Sequence, residues 1–588
     1  MNKFGQRAPK WTKTSRSLTK ERSNTVTQNS QFDQEWASRG EELRERGQYA
    51  RAIVAFDRAL KVDPENDWVW AHRGEALRQA GRYEEALVCF HRATELDPEY
   101  RWALGNTGET LRQMGRYEES LPYFDQAIAL DPGHHWSIAS KGQALRQAGR
   151  YDEAIKVFDR AIALDSSSEW TWAERGEALA HMGHYDDAIA SFERAVEISP
   201  GYSWALAHMG EAMRLGERYR EAISALDRAI SLDPQYAWAW GSKGEALRQL
   251  GRYDEAIAAF SEATAVDQEY AWAWASMGQA LRQAERFEES LTPLDRALSL
   301  SPESWIWAEK GESLRELGHF AESIAAFQNA TEMSPDNDWA WAHLGETYRQ
   351  ATEYDKAEEA FARAVEVRHG YTWAWAHRGE ALRQAGKYDA AISALDEAIS
   401  QDPDYAWAWG CKGEALQQDD DYQAAIDAFQ RAIEIDATTA WVWAEKGETL
   451  RLLDRHQEAV EALQQALRLD AEYPWAYGKL GQALRGQDRL EEAVEALNEA
   501  LALDPNLAWV WAQKGETLRL LERYDEAIEA FDEAILLDNE YSWAFAHKGQ
   551  ALAEASRYAE ALSAFDRAIA IDPEYEWAIE RREEIEPQ

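Results

Sequence analysis

The sequence predicts an all-α fold, a solenoid of sixteen tandem helix-turn-helix repeats. Two observations predict it: a glycine recurs every 34 residues, and apolar residues recur at helical spacing within each interval. Such a repeat buries its core only against its neighbours, so a chain of 588 residues need not form several globular domains. The glycine marks the eighth position of every repeat: Gly40, Gly74, Gly108, Gly142, Gly176, Gly210, Gly244, Gly278, Gly311, Gly345, Gly379, Gly413, Gly447, Gly481, Gly515 and Gly549.

The first 32 residues differ from everything that follows them. They carry seven Lys or Arg and one acidic residue, Glu21, and the rest is mostly Ser, Thr, Asn and Gln. The net charge of −43 therefore divides into +6 for residues 1–32 and −49 for residues 33–588. Because a segment with few apolar residues cannot bury a core, we predict a disordered tail here. An organelle transit peptide is the alternative, which the lack of regular amphipathicity disfavours.

Each repeat is predicted to contain two helices. In the second repeat Trp70, Gly74 and Leu77 fall at i, i+4 and i+7 of a first helix of about fourteen residues. Gly74 lets the two helices approach closely, and Gly81-Arg82 ends the first helix. The second helix has residues for its packing face at the same spacing, namely Ala86, Leu87, Phe90, Ala93 and Thr94. It ends before an Asp-Pro pair, because proline cannot continue a helix.

The repeats run from residue 33 to residue 575 with one interruption. Between Gly278 and Gly311 the spacing is 33, because the link Ser301-Pro302-Glu303-Ser304 has lost one residue. We predict a local irregularity at Pro302–Ser304, with an altered stacking angle between the repeats on either side. A half-repeat, residues 576–588, follows the last repeat and is predicted to cap the array.

The residues at fixed offsets in the second repeat are Trp70, Gly74, Tyr83, Ala86, Phe90, Ala93 and Pro98. In this pattern the chain resembles the tetratricopeptide repeat family over about residues 33–586. The resemblance implies a right-handed superhelix whose concave groove is lined by the first helices. One departure recurs, since the residue before the glycine is usually Lys or Arg, as at Arg73 and Lys141, and not Leu.

A row of tryptophans is the candidate binding surface. Two residues along a helix turn by about 200°, so the second-position Trp points away from Trp70 and, by the resemblance, into the groove. Glu or Gln follows seven residues later and Arg, in thirteen repeats, three residues after that. The candidate groove residues are Trp68, Trp102, Trp136, Trp170, Trp204, Trp238, Trp272, Trp305, Trp339, Trp373, Trp407, Trp441, Trp475, Trp509, Trp543, Glu75, Glu109, Glu245, Arg78, Arg112, Arg146 and Arg248.

Two interpretations of this row remain open. In the structural one, each Trp packs on the next repeat and each Glu pairs with the Arg three residues later. Trp577, at the end of the array, favours this interpretation. In the functional one, the row also binds an extended ligand, and the Ala or Gly between these residues (Ala71, Gly105) leaves open surface beside each indole.

No catalytic, cofactor or metal site is predicted. The sequence has no phosphate-binding loop, no HExxH and no GxSxG. Its two cysteines, Cys89 and Cys411, have no metal-ligand spacing and fit a reducing compartment. Five histidines share the sixth position of their repeats and are interpreted as helix surface: His72, His208, His343, His377 and His547.

The negative net charge of the chain limits the classes of partner that we expect. A strongly acidic chain disfavours nucleic acid and anionic membrane and favours basic partners. Neither a secretory signal nor an apolar run of about 18 residues is present, so a cytoplasmic location is expected. We expect proteins or extended peptides as partners, or another copy of the chain in a homo-oligomer or filament.

Three hypotheses of function follow. The first is a non-catalytic scaffold that binds extended protein segments in the Trp/Glu/Arg groove. The second is a structural protein that self-assembles into a fibre. The third is a carbohydrate-binding solenoid, because indole faces stack on sugar rings.

Overall fold

The structure of the protein, a computed structural model, describes residues 24–585, with side chains from residue 34 onward. This range consists of 33 α-helices joined by turns and short links, and it contains no strand. From α2 to α32, second helices of 14 residues alternate with first helices of 13 residues, one pair to each repeat. The predicted all-α repeat fold is confirmed.

The helices divide between two compact units, with the boundary between Ala280 and Leu281, a point within α15. Helices α1–α15 are α1 (Asn24–Glu45), α2 (Tyr49–Val62), α3 (Asp67–Gln79), α4 (Tyr83–Leu96), α5 (Arg101–Gln113), α6 (Tyr117–Leu130), α7 (His135–Gln147), α8 (Tyr151–Leu164), α9 (Glu169–His181), α10 (Tyr185–Ile198), α11 (Ser203–Leu215), α12 (Tyr219–Leu232), α13 (Ala237–Gln249), α14 (Tyr253–Val266) and α15 (Ala271–Gln283).

The remaining helices belong to the second compact unit. They are α16 (Phe287–Leu300), α17 (Ser304–Glu316), α18 (Phe320–Met333), α19 (Asp338–Gln350), α20 (Tyr354–Val367), α21 (Thr372–Gln384), α22 (Tyr388–Gln401), α23 (Ala406–Gln418), α24 (Tyr422–Ile435), α25 (Ala440–Leu452), α26 (His456–Leu469), α27 (Pro474–Gly486), α28 (Leu490–Leu503), α29 (Ala508–Leu520), α30 (Tyr524–Leu537), α31 (Ser542–Glu554), α32 (Tyr558–Ile571) and α33 (Glu576–Ile585).

The two ends of the chain bear on the predicted domain bounds. The first helix begins at Asn24, so residues 24–32 of the predicted tail extend α1. Residues 1–23 lie outside the described residues, and the disorder predicted for them stays a prediction. Helix α33 forms the predicted half-repeat, and its small residue Ala578 is fully buried.

Glycine at the eighth position permits close packing of the two helices of a repeat. A Cβ atom on Gly74 would lie 2.9 Å from a ring carbon of Phe90, closer than real Cβ atoms approach. The Phe90 ring is fully buried, and the indole of Trp102 from the next repeat meets it edge-on at a centroid distance of 6.2 Å. At this point in the first compact unit the core is therefore continuous from one repeat to the next.

The recurrent Lys or Arg at the seventh position joins consecutive repeats. The Arg73 side chain donates to Asp57 of the preceding second helix at 2.7 Å, and Lys243 pairs with Asp227 at 2.6 Å. Lys243 Nζ also lies 5.3 Å from the centroid of the Trp240 ring. The departure from the family's Leu thus replaces an apolar contact by an ion pair laid across an indole.

The links between repeats have a recurrent hydrogen-bonded form. Asp63 Oδ1 accepts from the Glu65 backbone N–H at 3.1 Å, and the Trp70 indole donates to the Pro64 carbonyl at 2.9 Å. The link at residues 301–303 differs, since Glu303 is more extended (φ −129°, ψ 145°) and its carboxylate accepts from the Trp305 indole at 2.8 Å.

A notch of about 420 Å³ opens at this shortened link, bounded by Pro302, Trp305, Met333 and Asn337 among others. The predicted irregularity is therefore present in the local geometry of the link. The altered stacking angle between the adjoining repeats stays a prediction.

The turn inside each repeat places one residue, at the fifteenth position, in the left-handed region. In eight repeats that residue is glycine: Gly47, Gly81, Gly115, Gly149, Gly183, Gly251, Gly318 and Gly386. In the other eight it has a side chain: Glu217, Glu285, Thr352, Asp420, Asp454, Asp488, Glu522 and Ser556. The left-handed backbone conformation is thus kept even in repeats that lack glycine, the residue that adopts it without strain.

No helix in residues 24–585 is long and apolar enough to cross a membrane.

Candidate functional site

The first helices share a face, here called the first-helix face, made of positions two, six, nine and twelve of each repeat. On it the Glu75 carboxylate accepts from Arg78 Nε at 2.9 Å and Nη2 at 2.7 Å, and from Gln79 Nε2 at 2.7 Å. Equivalent pairs three residues apart are Glu41–Arg44, Glu109–Arg112, Glu211–Arg214, Glu245–Arg248, Glu312–Arg315, Glu346–Arg349, Glu380–Arg383, Glu448–Arg451 and Glu516–Arg519.

The pairs are also joined across repeats. Arg112 Nη1 donates to Gln147 of the next repeat at 2.8 Å. Where position nine is Gln143, Arg146 reaches forward instead, to Glu174 at 2.9 Å and Glu177 at 3.1 Å. Most charges of this face are therefore paired within their compact unit, with two exceptions described below.

Burial makes these charges poorly available to a ligand. Only 6% of Glu75 is exposed, and Glu109 and Glu245 are also buried, while Arg78, Arg112, Arg146 and Arg248 are half-buried. Burial alone would raise the pKa of Glu312, but hydrogen bonds from His343 and Arg315 outweigh it and hold the pKa at about 2. The pairing is that of the structural interpretation, and ligand binding by these residues stays a proposal.

The second-position tryptophans remain partly open to solvent. Trp68 and Trp272 are the most open, with 36% and 39% of their surface exposed. The other predicted members of the row are half-buried: Trp102, Trp136, Trp170, Trp204, Trp238, Trp305, Trp339, Trp373, Trp407, Trp441, Trp475, Trp509 and Trp543. Each compact unit thus presents a row of partly exposed indoles on its first-helix face.

The open surface predicted beside each indole is wrong. A Cβ atom on Gly105 would lie 2.8 Å from the Trp136 ring, and one on Gly410 would lie 2.4 Å from the Trp441 ring. The small fifth-position residue accommodates the indole of the next repeat, so the space is filled. Sequence spacing could not show this, because the contact joins residues 31 apart.

The interpretation of the sixth-position histidines as helix surface is also wrong. His72 lies between two indoles, with ring centroids 3.9 Å from Trp68 and 4.7 Å from Trp102. In the second compact unit five rings form one continuous stack, Trp339, His343, Trp373, His377 and Trp407. The imidazoles are spacers in an aromatic column.

Two of these histidines make no hydrogen bond to a carboxylate and are held neutral. Burial lowers the pKa of His208 to about 3 and that of His377 to about 4. His72, His343 and His547 instead contact the ninth-position glutamates of the preceding repeats, Glu41, Glu312 and Glu516, at 3.2, 3.0 and 3.1 Å. The terminal indole Trp577 stacks on His547 at 4.7 Å, which is a packing role.

The regular pairing fails at two glutamates. Glu177 has Ala180 three residues later and depends on Arg146 of the preceding repeat. Glu414 has Gln417 there, and its ion-pair contact is with Arg383 Nη2 at 3.6 Å. Burial raises the pKa of Glu414 to about 7, because Arg383 offsets only part of that effect.

A thiol lies at the second of these failures. Cys411 occupies the sixth position, and its Sγ and carboxylate oxygens of Glu380 and Glu414 all lie within 4.8 Å of one another. Sequence reasoning assigned no role to these three residues. One sequence signal points to this group of residues. In the same repeat, position six is Cys411 and position twelve is Gln417, and both depart from the repeat pattern.

Sequence models of known families match most of the chain. Models described as tetratricopeptide repeat match residues 65–133, 106–169, 139–203, 179–239, 225–258, 308–369, 378–439, 438–506 and 513–576. A model described as TPR repeat matches residues 40–77 and 244–281. No curated protein matches the chain.

Solved structures of low identity are similar to the chain. The crystal structure of the APC/C hetero-tetramer Cut9–Hcn1 has 15% identity and a TM-score of 0.39, covering 84% of this chain and 99% of that chain. The structure of Naa15/Naa10 bound to HypK-THB has 14% identity and a TM-score of 0.35, covering 94% and 96%. YrrB, a TPR protein with an unusual peptide-binding site, has 23% identity and a TM-score of 0.29, covering 33% and 99%.

Proposed function

The chain belongs to the tetratricopeptide repeat family, and on that basis we propose that it is a non-catalytic scaffold that binds extended segments of other proteins along the first-helix face. Proteins built from this repeat generally serve protein–protein interaction. A surface of uniform chemistry suits an extended segment, because a globular partner would need distinct residues at distinct repeats.

The observation that carries the proposal is the row of half-exposed indoles. The glutamates and arginines between them are satisfied internally, so the indoles are the groups with surface to offer. An indole provides apolar area and a negative face that attracts cations. The proposed partner therefore places aliphatic and basic side chains over the indoles. It does not form ion pairs with the buried Glu and half-buried Arg residues of the first-helix face.

The charge of the protein supports the same kind of partner. Residues 33–588 carry −49, which concentrates basic segments near the surface and accelerates their association at low salt. The proposed ligand is accordingly an extended peptide with Lys or Arg among aliphatic residues.

A matched pair of double variants tests the proposal. Peptides selected from a random display library are titrated by calorimetry into the wild type, into Trp238→Ala/Trp272→Ala, and into Trp240→Ala/Trp274→Ala. Trp240 and Trp274 lie on the same two helices but donate to link carbonyls at 3.2 and 3.1 Å, away from the first-helix face. We expect the first variant to lose at least tenfold in affinity, or about 1.4 kcal/mol, and the second to bind like the wild type.

Circular dichroism and thermal unfolding of both variants control for loss of fold. Equal peptide affinities in the wild type and both variants would show that the first-helix face is not the binding surface. Selection of glycans on an array, with no selected peptide, would favour the carbohydrate hypothesis instead.

Self-assembly is a second candidate function, favoured by the opposite charges of the tail (+6) and of residues 33–588 (−49). Residues 1–23, which carry all the charges of the tail, lie outside the described residues, so the argument rests on charge. Light scattering of the full chain and of a chain starting at Phe32 should show concentration-dependent growth for the full chain alone. Growth should weaken with salt, since the Debye length is about 8 Å at physiological strength. Two monomers at low salt would exclude it.

A further inference from the structure

Repeat twelve, residues 406–439, departs from the residue pattern of the first-helix face at two positions. Position twelve is Gln417 where most repeats have Arg, and position six is Cys411 where others have a basic, amide or hydroxyl side chain or Glu. Because both departures fall in one repeat, they remove a cation and introduce a thiol at the same place. The two changes together alter the chemistry of the face here and not its fold, since α23 keeps the standard bounds.

The loss of the cation leaves negative charge under-compensated. Arg383 holds Glu380 with two hydrogen bonds of 2.9 and 2.7 Å, as its counterparts do in other repeats. The distance from Arg383 Nη2 to the Glu414 carboxylate is 3.6 Å, which is too long for a hydrogen bond. One guanidinium therefore serves two carboxylates, and the second carboxylate has 22% of its side chain open to solvent.

The thiol is an independent sign of a ligand. Only 2% of Cys411 is exposed, and in the described part of the chain Sγ has no hydrogen bond. The other cysteine, Cys89, is equally buried, but its Sγ accepts from Arg73 Nη1 at 2.8 Å. Buried polar atoms without partners are rare in folded proteins, and this Sγ lies within 4.8 Å of carboxylate oxygens of both Glu380 and Glu414.

We propose that Cys411, Glu414 and Glu380 bind a divalent metal ion of the zinc class, which supplies the positive charge that the missing arginine would have provided. A thiolate with carboxylates suits Zn²⁺ or Cd²⁺ and disfavours Mg²⁺ and Ca²⁺, which take oxygen ligands. The ligand atoms already lie within 4.8 Å of one another, so small side-chain rotations bring them around one ion.

The proposal is consistent with the contacts already made at the site. Glu380 accepts two hydrogen bonds from Arg383 and one from Gln384. A carboxylate has about four acceptor positions, so one position remains for the ion. Binding forms the metal–sulphur bond and breaks the S–H bond, and the proton leaves to solvent. The fourth position is open to a solvent water, because 22% of the Glu414 side chain is exposed.

Cadmium titration of the full chain provides the test, because a thiolate–Cd²⁺ bond gives a charge-transfer band in the ultraviolet difference spectrum and binding to His or carboxylate does not. The chain has only two cysteines, so two variants assign the band. We expect one equivalent of Cd²⁺ to produce the band in the wild type and in Cys89→Ser, and no band in Cys411→Ser. Zn²⁺ should displace Cd²⁺, whereas Mg²⁺ at the same concentration should not.

A second variant keeps the test valid if Cys411→Ser is unstable. Glu414→Gln keeps the thiol and should bind Cd²⁺ more weakly, with an unchanged circular dichroism spectrum. Absence of the band at one equivalent in the wild type would overturn the proposal, as would a band that persists in Cys411→Ser or one that Glu414→Gln leaves at full affinity. None of these results depends on peptide binding, so the proposed scaffold function is tested separately.

Discussion

The turns of repeats 2–5 and of repeats 12–16 have one backbone conformation and different residues. Gly81 has φ of 77° and Asp420 has φ of 63°. The hydrogen bond that closes the turn is also the same, at 2.9 Å from Arg82 N to Leu77 O and from Asp421 N to Leu416 O. The packing of the two helices therefore sets the backbone, and the residue at the fifteenth position sets its energetic cost.

That cost differs between the two regions. Residues 67–202 have glycine in all four turns, whereas residues 406–575 have Asp, Asp, Asp, Glu and Ser in five. A left-handed conformation costs an L-residue about 1–2 kcal/mol, less for Asp and nothing for glycine. The second region therefore has the same architecture with a smaller margin of stability.

The largest expected effect tests whether the two regions are otherwise alike. Phe90 and Phe429 are fully buried over the glycines of their repeats, so truncation to Ala should cost about 3–5 kcal/mol in each. Hydrogen exchange of Phe90→Ala and Phe429→Ala gives the opening free energy around each site. If the two costs differ by more than about 1 kcal/mol, the regions differ in core packing and not only in their turns.

Acid provides a second comparison. Burial raises the pKa of Glu516, but hydrogen bonds from Arg519 and His547 outweigh it and lower the pKa from 4.5 to about 2. Because the folded pKa is depressed, this stabilisation is present above pH 4.5 and is lost as pH falls toward 2, by about 2–3 kcal/mol. Glu41, which contacts His72 of repeat 2, has the same pKa of about 2, so acid should weaken both ends of the array alike.

Glu516→Gln checks this, since it should be less stable than the wild type at pH 7 and should lose less stability between pH 5 and pH 3. Unfolding in urea at several pH values measures both. An unchanged pH dependence in the variant would show that the carboxylate does not contribute in this way.

Native-state hydrogen exchange should distinguish the two regions directly. We expect amides of repeats 12–14 to exchange roughly tenfold faster than those of repeats 2–4, which corresponds to about 1.4 kcal/mol. Equal protection in both regions would show that the side chains at Asp420, Asp454 and Asp488 relieve the strain locally.

The smallest effects come from exchanging the turn residues. Gly149→Glu should destabilise its repeat and Glu522→Gly should stabilise its own, each by about 1 kcal/mol. A Cβ atom on Gly149 meets no atom within 4 Å, so the change is purely conformational. Glu522→Ala, which keeps the Cβ, is the control and should give no gain. A gain equal to that of the glycine variant would attribute the effect to charge.

The repeat fold follows from the sequence because its determinants are local and recur sixteen times. The glycine at position eight, Phe90 and the Asp-Pro link are each visible in one repeat and predict its helices and breaks. Errors at one repeat are corrected by agreement among the others. The predicted pairing of Glu75 with Arg78 is local in the same sense, and the structure contains it.

The candidate site was less predictable because its contacts cross repeats. Sequence spacing identified the Trp row but not what lies beside each indole, which depends on residues 31 positions away such as Gly105 and Trp136. The stacking of His72 between two indoles and the meeting of Cys411 with Glu380 are of the same kind. Patterns within one repeat cannot show these, because helix packing between repeats sets the register.

The shortened link at residues 301–303 shows where such a chain can change length. A deletion inside a helix would rotate every later residue of that helix by about 100° and misplace its contacts. At this link the contacts on both sides survive, since Lys310 still pairs with Asp295 at 2.6 Å and Phe327 still packs on Gly311. The links between repeats can therefore change in length without displacing the contacts of the helices that they connect. At this joint a short epitope or a protease site can be inserted while the helices of repeat nine keep their partners.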